Sequence, residues 1–337
     1  MSGEASVSTP GKTILFGEHA AVYGYPALVT ALDHRMKVTA RTSSSTNGAT
    51  LHVAIPSLRI TRTVAWSDVV TTPKEPGDLA LLAVTLGTEG VARRPSRFDL
   101  LIESTIPSGS GFGSSAALAV GVVAACRRAC GDDIGPEEIA RLAIAVERHQ
   151  HGVASGVDVE AVLRGGVLWC RRADDGTVEH ERLSAAGSSL DAFRLFHSGT
   201  PHETTGDMVA AVRLLRSQEP DRVEDALRAI DASTLAGRAA LLRDDRAALV
   251  PIVKRAEAAL EAIGVVSKSV ATTIRAIEAE GGAAKISGAG GRTGAGAGLV
   301  LVVHPDAAWH ARFPVPAGWR PHPVRLGAEG LRTEVAA

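Results

Sequence analysis

A glycine-rich loop between a predicted strand and a predicted helix is the first segment whose residue types indicate chemistry. Residues 107–116 read PSGSGFGSSA. Gly109, Gly111 and Gly113 permit positive φ and carry no Cβ, so successive backbone N–H groups can converge on one anion. A helix that begins near Ser114 adds the positive end of its dipole, and a hydroxyl on Ser114 or Ser115 suits Mg²⁺. The loop therefore predicts a phosphate site, with an ordinary flexible loop as the alternative.

The spacing of this loop separates it from two common nucleotide-binding motifs. No Gly-Lys-Ser/Thr follows it, and its glycines are spaced GxGxG rather than GxGxxG. A second glycine-rich segment, residues 285–291, reads KISGAGG and follows another strand candidate. Two such loops, each leaving a predicted strand, favour phosphate binding more than either does alone.

Lysine is scarce in this chain. It occurs only at positions 12, 37, 74, 254, 268 and 285, and arginine supplies the other positive side chains. A lysine is a compact point charge, whereas arginine presents a planar fork. A lysine at a special position therefore suggests a task that arginine would perform less well.

The elements that must position these loops change in type along the chain. Before about residue 185, strand-like alternation (MKVTARTS, ATLHVAI, RITRTVAW, FDLLIEST) is interrupted by helical segments, of which one is predicted from about Ser114 to Ala129. GGVLWCRRA and TVEHERL are predicted as a closing pair of strands. Helical periodicity then dominates residues 205–280, and PVRLGAEGLRTEV is predicted as a closing hairpin. We therefore predict two domains, residues 1–188 and 189–337.

Composition bounds the function classes. The 337 residues are 45% hydrophobic and 22% charged with a net charge of −1, which argues against a broadly basic nucleic-acid binder. The longest apolar run, residues 116–126, is too short for a membrane span, which needs about 20 residues. The N-terminus is polar, and the three cysteines lack metal-like spacing. We expect a cytoplasmic protein that binds neither membrane nor nucleic acid.

Four segments together resemble the motifs of the GHMP kinases, the family of galactokinase, homoserine kinase, mevalonate kinase and phosphomevalonate kinase. Residues 10–28, reading PGKTILFGEHAAVYGYPAL, resemble the opening motif of the mevalonate kinase branch. Residues 107–116 are similar to the family's phosphate loop, and residues 285–291 to its third motif. Residues 147–158, reading ERHQHGVASGVD, resemble the stretch with a glutamate eleven residues before the catalytic aspartate.

This resemblance implies a fold and a reaction. The fold would be α+β with two domains: an N-terminal domain that contains a left-handed βαβ unit, and a ferredoxin-like C-terminal domain. The reaction would be the ATP- and Mg²⁺-dependent phosphorylation of the 5-hydroxyl of mevalonate, in isoprenoid precursor synthesis. The resemblance leaves open whether the chain forms a homodimer.

The resemblance also implies a role for individual residues. Asp158 corresponds to the catalytic carboxylate, and Lys12 to its partner beside the substrate hydroxyl. Glu147 and Ser115 correspond to Mg²⁺ ligands. The residues implied around the substrate are Lys12, Glu18, His19, Asp158 and Thr205. Those implied around the nucleotide phosphates are Pro107, Gly109, Ser110, Gly111, Gly113, Ser114 and Ser115.

Each of these residues also has an interpretation without function. Taken alone, Asp158 would be a turn or cap residue, Glu147 a solvated charge on a helix, and His19 a structural histidine. His149 and His151 lie two residues apart on a predicted helix, so they face apart and a zinc site is not expected. Only the joint placement of the motifs favours the functional interpretation.

Two rival functions remain at this point. A phosphomevalonate kinase needs extra cations in its pocket, for which Arg148, Arg164 and Arg292 are candidates. Arg292 also belongs to a departure from the family pattern, because GAGGRTGAGAG lengthens the third motif. Two smaller departures are Ala154 and Val159, beside the predicted catalytic aspartate. The second rival is a non-catalytic ligand-binding member, against which the presence of Lys12, Glu147 and Asp158 argues.

Overall fold

A computed structural model describes residues 3–43, 49–92, 95–107, 111–151, 154–184, 187–306 and 308–335. Two residues predicted to contact phosphate, Gly109 and Ser110, lie outside these ranges. Within the described ranges the chain forms two sheets with helices packed against them, which is the predicted α+β class.

The first sheet contains eight strands. It is ordered β12-β1-β2-β5-β3-β4, and β6 pairs with both β2 and β7. The strands are β1 (Glu4–Phe16), β2 (Ala27–Ser43), β3 (Thr50–Ile55), β4 (Ile60–Ala65), β5 (Arg97–Ser104), β6 (Val167–Arg172), β7 (Val178–Leu183) and β12 (Arg332–Glu334). β3 and β5 are parallel, so they and the intervening helix form a βαβ unit. β6 and β7 pair antiparallel, which confirms their predicted pairing.

Four helices accompany this sheet. They are α1 (Pro76–Gly87), α2 (Ser114–Ala129), α3 (Pro136–His151) and α4 (Val157–Arg164). Helix α2 has the predicted bounds, and its side chains are buried almost all round, as an apolar helix in a core requires. Gly121 lets α2 approach the sheet closely, because a Cβ there would lie 2.9 Å from Cγ2 of Val38.

The second sheet is antiparallel and follows the order β11-β8-β10-β9. Its strands are β8 (Phe193–His197), β9 (Ala283–Ser287), β10 (Leu299–Val303) and β11 (Arg320–His322). The accompanying helices are α5 (Gly187–Leu190), α6 (Thr205–Gln218), α7 (Pro220–Leu242), α8 (Arg246–Ala262), α9 (Lys268–Ala279) and α10 (Trp309–Arg312). Numbered within this sheet, the strand order is 4-1-3-2 with helices after the first and third strands, which is the expected ferredoxin-like topology.

The C-terminal segment does not form the predicted hairpin. β11 pairs with β8, whereas β12 pairs with β1 in the first sheet. The guanidinium of Arg35 holds the returning segment by donating to the carbonyls of Glu329 and Gly330 at 2.8 and 2.7 Å. The C-terminal segment pairs with the outer edge of β1 and accepts hydrogen bonds from Arg35, and these interactions replace the pairing that a local hairpin would make. The division at residues 188 and 189 stays a prediction. No helix in the described residues is long and apolar enough to span a membrane.

Candidate active site

A cleft of about 570 Å³ lies where the two sheets meet. Its wall combines residues of the first sheet and its helices with residues of the segments after β8 and β9. Most of the residues predicted from the sequence line it: Lys12, Glu18, His19, Gly111, Gly113, Ser114, Ser115, Glu147, Asp158 and Thr205. Pro107 is described but is not among the lining residues.

Lys12 lies near the middle of this cleft, on β1. The pairing of β1 with β2 shifts register just before it, between Pro10 and Gly11. The backbone N–H of Lys12 donates to the carbonyl of Phe112 at 2.8 Å, which ties the glycine-rich loop to the strand. The Lys12 side chain is 5% exposed and its Nζ lies 2.8 Å from Oδ2 of Asp158. The two residues, 146 positions apart in the chain, thus form an ion pair.

Asp158 lies in the first turn of α4, at the cleft. Gly156 precedes the helix with φ of 81°, and a Cβ there would lie 2.6 Å from Cγ2 of Val178, so a glycine is required. No side chain caps this helix. The carboxylate of Asp158 is therefore not a cap: it is directed at Lys12 and is 35% exposed, so an alcohol can reach it.

Glu147 is buried near the end of α3, which rules out the alternative of a solvated helix charge. Burial, together with the nearby Asp158, raises its pKa to about 7, although a hydrogen bond from Ser115 and the charge of Lys12 act in the opposite direction. Its Oε1 has no partner among the described residues. One carboxylate oxygen and one serine hydroxyl beside the glycine-rich loop suit Mg²⁺, which takes its remaining ligands from water and phosphate oxygens.

The glycine-rich loop leads into the N-terminus of α2 as predicted. Gly111 and Gly113 have φ of 84° and 75°, the left-handed region that favours glycine. A Cβ on Gly113 would lie 2.5 Å from Cγ of Lys12. The last glycine of the loop is therefore required by the position of Lys12 as well as by the backbone. Because Ser114 and Ser115 line the cleft, the free N–H groups in the first turn of α2 can donate to an anion bound there.

Glu18 and His19 follow β1 and line the same cleft, and both are buried. His19 has φ of 59°, and its Nε2 lies 3.0 Å from the carbonyl of Ala289, which belongs to the glycine-rich segment 285–291. Burial lowers the pKa of His19, which favours the neutral form of the ring. Glu18 forms an ion pair with Lys285. Their contact with substrate stays a prediction.

Three polar residues at the cleft were given no individual role from the sequence: one lines the cleft and two lie behind it. Lys285 and Ser287 lie on β9, and Glu257 lies on α8. Ser287 Oγ donates to the carbonyl of Ile14 at 2.9 Å, so it joins the second sheet to β1 two residues from Lys12. The scarcity of lysine was the available signal for Lys285. Ser287 belongs to the KISGAGG segment identified from the sequence, although the segment gave it no individual role, and nothing in the local sequence marks Glu257.

The segment after β8 forms the opposite wall. Thr205 is the first residue of α6, and Thr204 caps that helix in a reciprocal pair with Asp207. The lengthened third motif packs on this segment: Thr293 Oγ1 donates to Oε1 of Glu203 at 2.8 Å. The Arg292 side chain is exposed and does not line the cleft.

One end of the cleft is apolar, and the sequence did not identify its residues. It is formed by strands of the first sheet, by α1 and α2, and by the turn after β3. Its lining residues are Met36, Ile55, Leu58, Pro76, Leu79, Ile102, Ile106 and Leu118.

Comparison with known proteins gives the family. Residues 78–166 match the family model described as the GHMP kinases N terminal domain. A mevalonate kinase of Methanothermobacter thermautotrophicus is 33% identical over 289 residues, which cover 86% of this chain and 88% of that protein. The chain belongs to the mevalonate kinase family of the GHMP kinases.

Solved structures of the GHMP kinases share the fold. The mevalonate kinase of Methanococcus jannaschii has a TM-score of 0.72 at 20% identity, over 95% of this chain and 98% of that one. A phosphomevalonate kinase of Streptococcus pneumoniae also has a TM-score of 0.72, at 16% identity, over 95% and 99% of the two chains. The fold is therefore common to members of the superfamily that carry different names.

Proposed function

We propose that this protein is a mevalonate kinase, which transfers the γ-phosphoryl group of ATP to the 5-hydroxyl of mevalonate. The observation that carries the proposal is the contact between Lys12 and Asp158, 2.8 Å apart in a cleft that begins at the glycine-rich loop. The proposal is also supported by relatives named mevalonate kinase, whose sequences match most of this chain.

The two charged groups have complementary tasks. Asp158 accepts a hydrogen bond from the substrate hydroxyl, orients it toward the phosphoryl group and takes its proton late, because the transition state of phosphoryl transfer is loose. The ammonium of Lys12 stabilises the negative charge that develops on the alcohol oxygen. A guanidinium would be bulkier at this point, where Gly113 already contacts the lysine stem.

The remaining lining residues suit the nucleotide. The N–H groups of Gly113 and of the first turn of α2 are donors for the phosphates. Glu147 and Ser115 would hold Mg²⁺, and the unpartnered Oε1 of Glu147 supports this assignment. When bound, the ion supplies charge neutralisation for the phosphate oxygens. We propose that the apolar end of the cleft holds the base.

Charge distinguishes mevalonate from phosphomevalonate as the substrate. Among the described residues, Lys12 is the only lysine or arginine that lines the cleft. Arg164 forms ion pairs with Glu160 and Glu137, and Arg148 and Arg292 lie outside the lining. A substrate that carries its own phosphate would therefore lack the cations that such a group requires.

A kinetic panel tests this proposal. Mevalonate, phosphomevalonate, homoserine and galactose are each assayed with ATP and Mg²⁺ at matched concentrations, with the Asp158→Ala variant as the background control. We expect mevalonate to have the highest kcat/KM, and the variant to give none above the uncatalysed rate. Absence of mevalonate turnover, or a higher kcat/KM for phosphomevalonate, would contradict the proposal.

A further inference from the structure

A buried ion pair joins the two sheets behind the cleft. Lys285 lies on β9 of the second sheet, and Glu18 follows β1 of the first. Nζ of Lys285 donates to Oε1 of Glu18 and, at 2.8 Å, to the carbonyl of Ile286. The two side chains are 0% and 1% exposed. The bond to the Ile286 carbonyl fixes the Lys285 ammonium, which holds Glu18 against the cleft wall through a single hydrogen bond and the ion pair.

The second oxygen of Glu18 distinguishes this pair from a purely structural ion pair. Its Oε2 is buried and has no hydrogen-bond partner among the described residues. Buried polar atoms in folded proteins are nearly always paired, so an exception requires an explanation. Glu18 lines the cleft that Lys12 and Asp158 also line, so a bound ligand is the available source of the missing donor.

Ionisable groups on three elements lie near Glu18. Burial raises its pKa, while Lys285 on β9 and, less strongly, Lys12 on β1 lower it. Glu257 on α8 is the third group: its Oε2 accepts the N–H of Ile286 at 3.0 Å, and it lies close enough to interact with both Lys285 and Glu18. Lys285 is thus the main group that favours the ionised form of Glu18.

We propose that Lys285 is a positioning residue that sets substrate specificity: it holds Glu18 so that one carboxylate oxygen accepts a hydrogen bond from a second hydroxyl of the alcohol substrate. The proposal rests on the proposed function, in which Lys12 and Asp158 act on the hydroxyl that is phosphorylated. In mevalonate the second hydroxyl is the tertiary one on carbon 3. An ionised Glu18 would repel the carboxylate of the substrate, so Glu18 suits a contact with a hydroxyl and not with that carboxylate.

A comparison of two substrates tests the hydrogen bond. Mevalonate and its analogue without the tertiary hydroxyl, 5-hydroxy-3-methylpentanoate, are assayed with the unsubstituted enzyme, Glu18→Gln and Lys285→Met. We expect the unsubstituted enzyme to prefer mevalonate by about 10- to 100-fold in kcat/KM, as a hydrogen bond to a charged group would give. Both variants lose most of this preference, whereas Lys268→Met, at an exposed lysine at the start of α9, keeps it.

A pH profile separates positioning from a general structural role. In Lys285→Met the pKa of Glu18 rises further, so kcat/KM for mevalonate falls below that of the unsubstituted enzyme and recovers as the pH is raised. Adding Glu18→Gln to Lys285→Met abolishes this recovery, and the double variant is no worse than Glu18→Gln alone. If Lys285→Met does not fold, the substrate comparison is carried by Glu18→Gln and by the double variant, which removes both buried charges.

Three results would overturn the proposal: a substrate preference that survives in Glu18→Gln, a pH profile of Lys285→Met parallel to that of the unsubstituted enzyme, or losses in the double variant that equal the product of the single losses. Failure of the proposed function has a different signature, because the unsubstituted enzyme would then not phosphorylate mevalonate at all. The pH comparison would in that event be made with the alcohol that the kinetic panel identifies.

Discussion

Substitution of Gly113 by alanine is expected to reduce turnover by displacing Lys12. The new Cβ would lie 2.5 Å from Cγ and 2.8 Å from Cε of Lys12, closer than real Cβ contacts allow. Lys12 cannot move aside easily, because its backbone N–H donates a hydrogen bond to the carbonyl of Phe112 and its Nζ forms an ion pair with Asp158. A misplacement of about 1 Å at a catalytic group can cost about 100-fold in rate, and we expect Gly113→Ala to lose about that much in kcat.

Gly131→Ala is the matched control, because it places an alanine in the same left-handed backbone conformation without a contact to Lys12. Gly131 has φ of 74°, nearly that of Gly113, but it lies just beyond the opposite end of α2, and a Cβ there would meet no atom within 4 Å. A left-handed alanine costs about 1–2 kcal/mol, so both variants should lose a few degrees in Tm. Steady-state kinetics and calorimetry on both variants give the comparison. A Gly113→Ala enzyme with kcat within twofold of Gly131→Ala would refute the reasoning.

Three further predictions use other residues. Asp158→Ala abolishes phosphoryl transfer while nucleotide still binds, as measured by calorimetry; unchanged activity would remove Asp158 from the mechanism. Ser287→Ala, which removes the bond to the Ile14 carbonyl, lowers the free energy of unfolding by about 1–3 kcal/mol in urea titrations; no change would mean that this link between the sheets is not stabilising. Burial raises the pKa of Glu257 from 4.5 to about 8, so the folded protein holds a proton that the unfolded chain releases. The stability this proton confers is complete below about pH 4.5 and is lost as pH rises through 8, by up to about 1.4 kcal/mol per unit. The stability of Glu257→Gln relative to the unsubstituted protein should therefore rise between pH 5 and pH 8, and parallel curves would contradict the assignment.

Local patterns were sufficient to predict several elements of the first sheet and its helices. The bounds of α2 follow from a glycine-rich loop that precedes a continuous apolar run, and β6 and β7 follow from two short strand patterns separated by a turn. The positions of Lys12 and Asp158 in one cleft followed from the resemblance between motifs and not from either residue alone. Each residue type at these positions has an ordinary structural interpretation.

Contacts between distant parts of the chain could not be predicted in the same way. Glu18 and Lys285 are 267 residues apart, and no local pattern records that they pair. Glu257 has the sequence context of the polar face of an amphipathic helix, and only the packing of α8 against β9 makes it buried. The return of β12 to β1 was likewise decided by a free strand edge and by Arg35, far from the C-terminus in sequence.

A crystal structure with mevalonate and a non-hydrolysable ATP analogue would test the central claim most directly. We predict that the 5-hydroxyl lies within about 3.2 Å of both Nζ of Lys12 and an Oδ atom of Asp158, with the γ-phosphate analogue at the N-terminus of α2. A 5-hydroxyl bound away from this pair, or a triphosphate bound away from α2, would contradict the account.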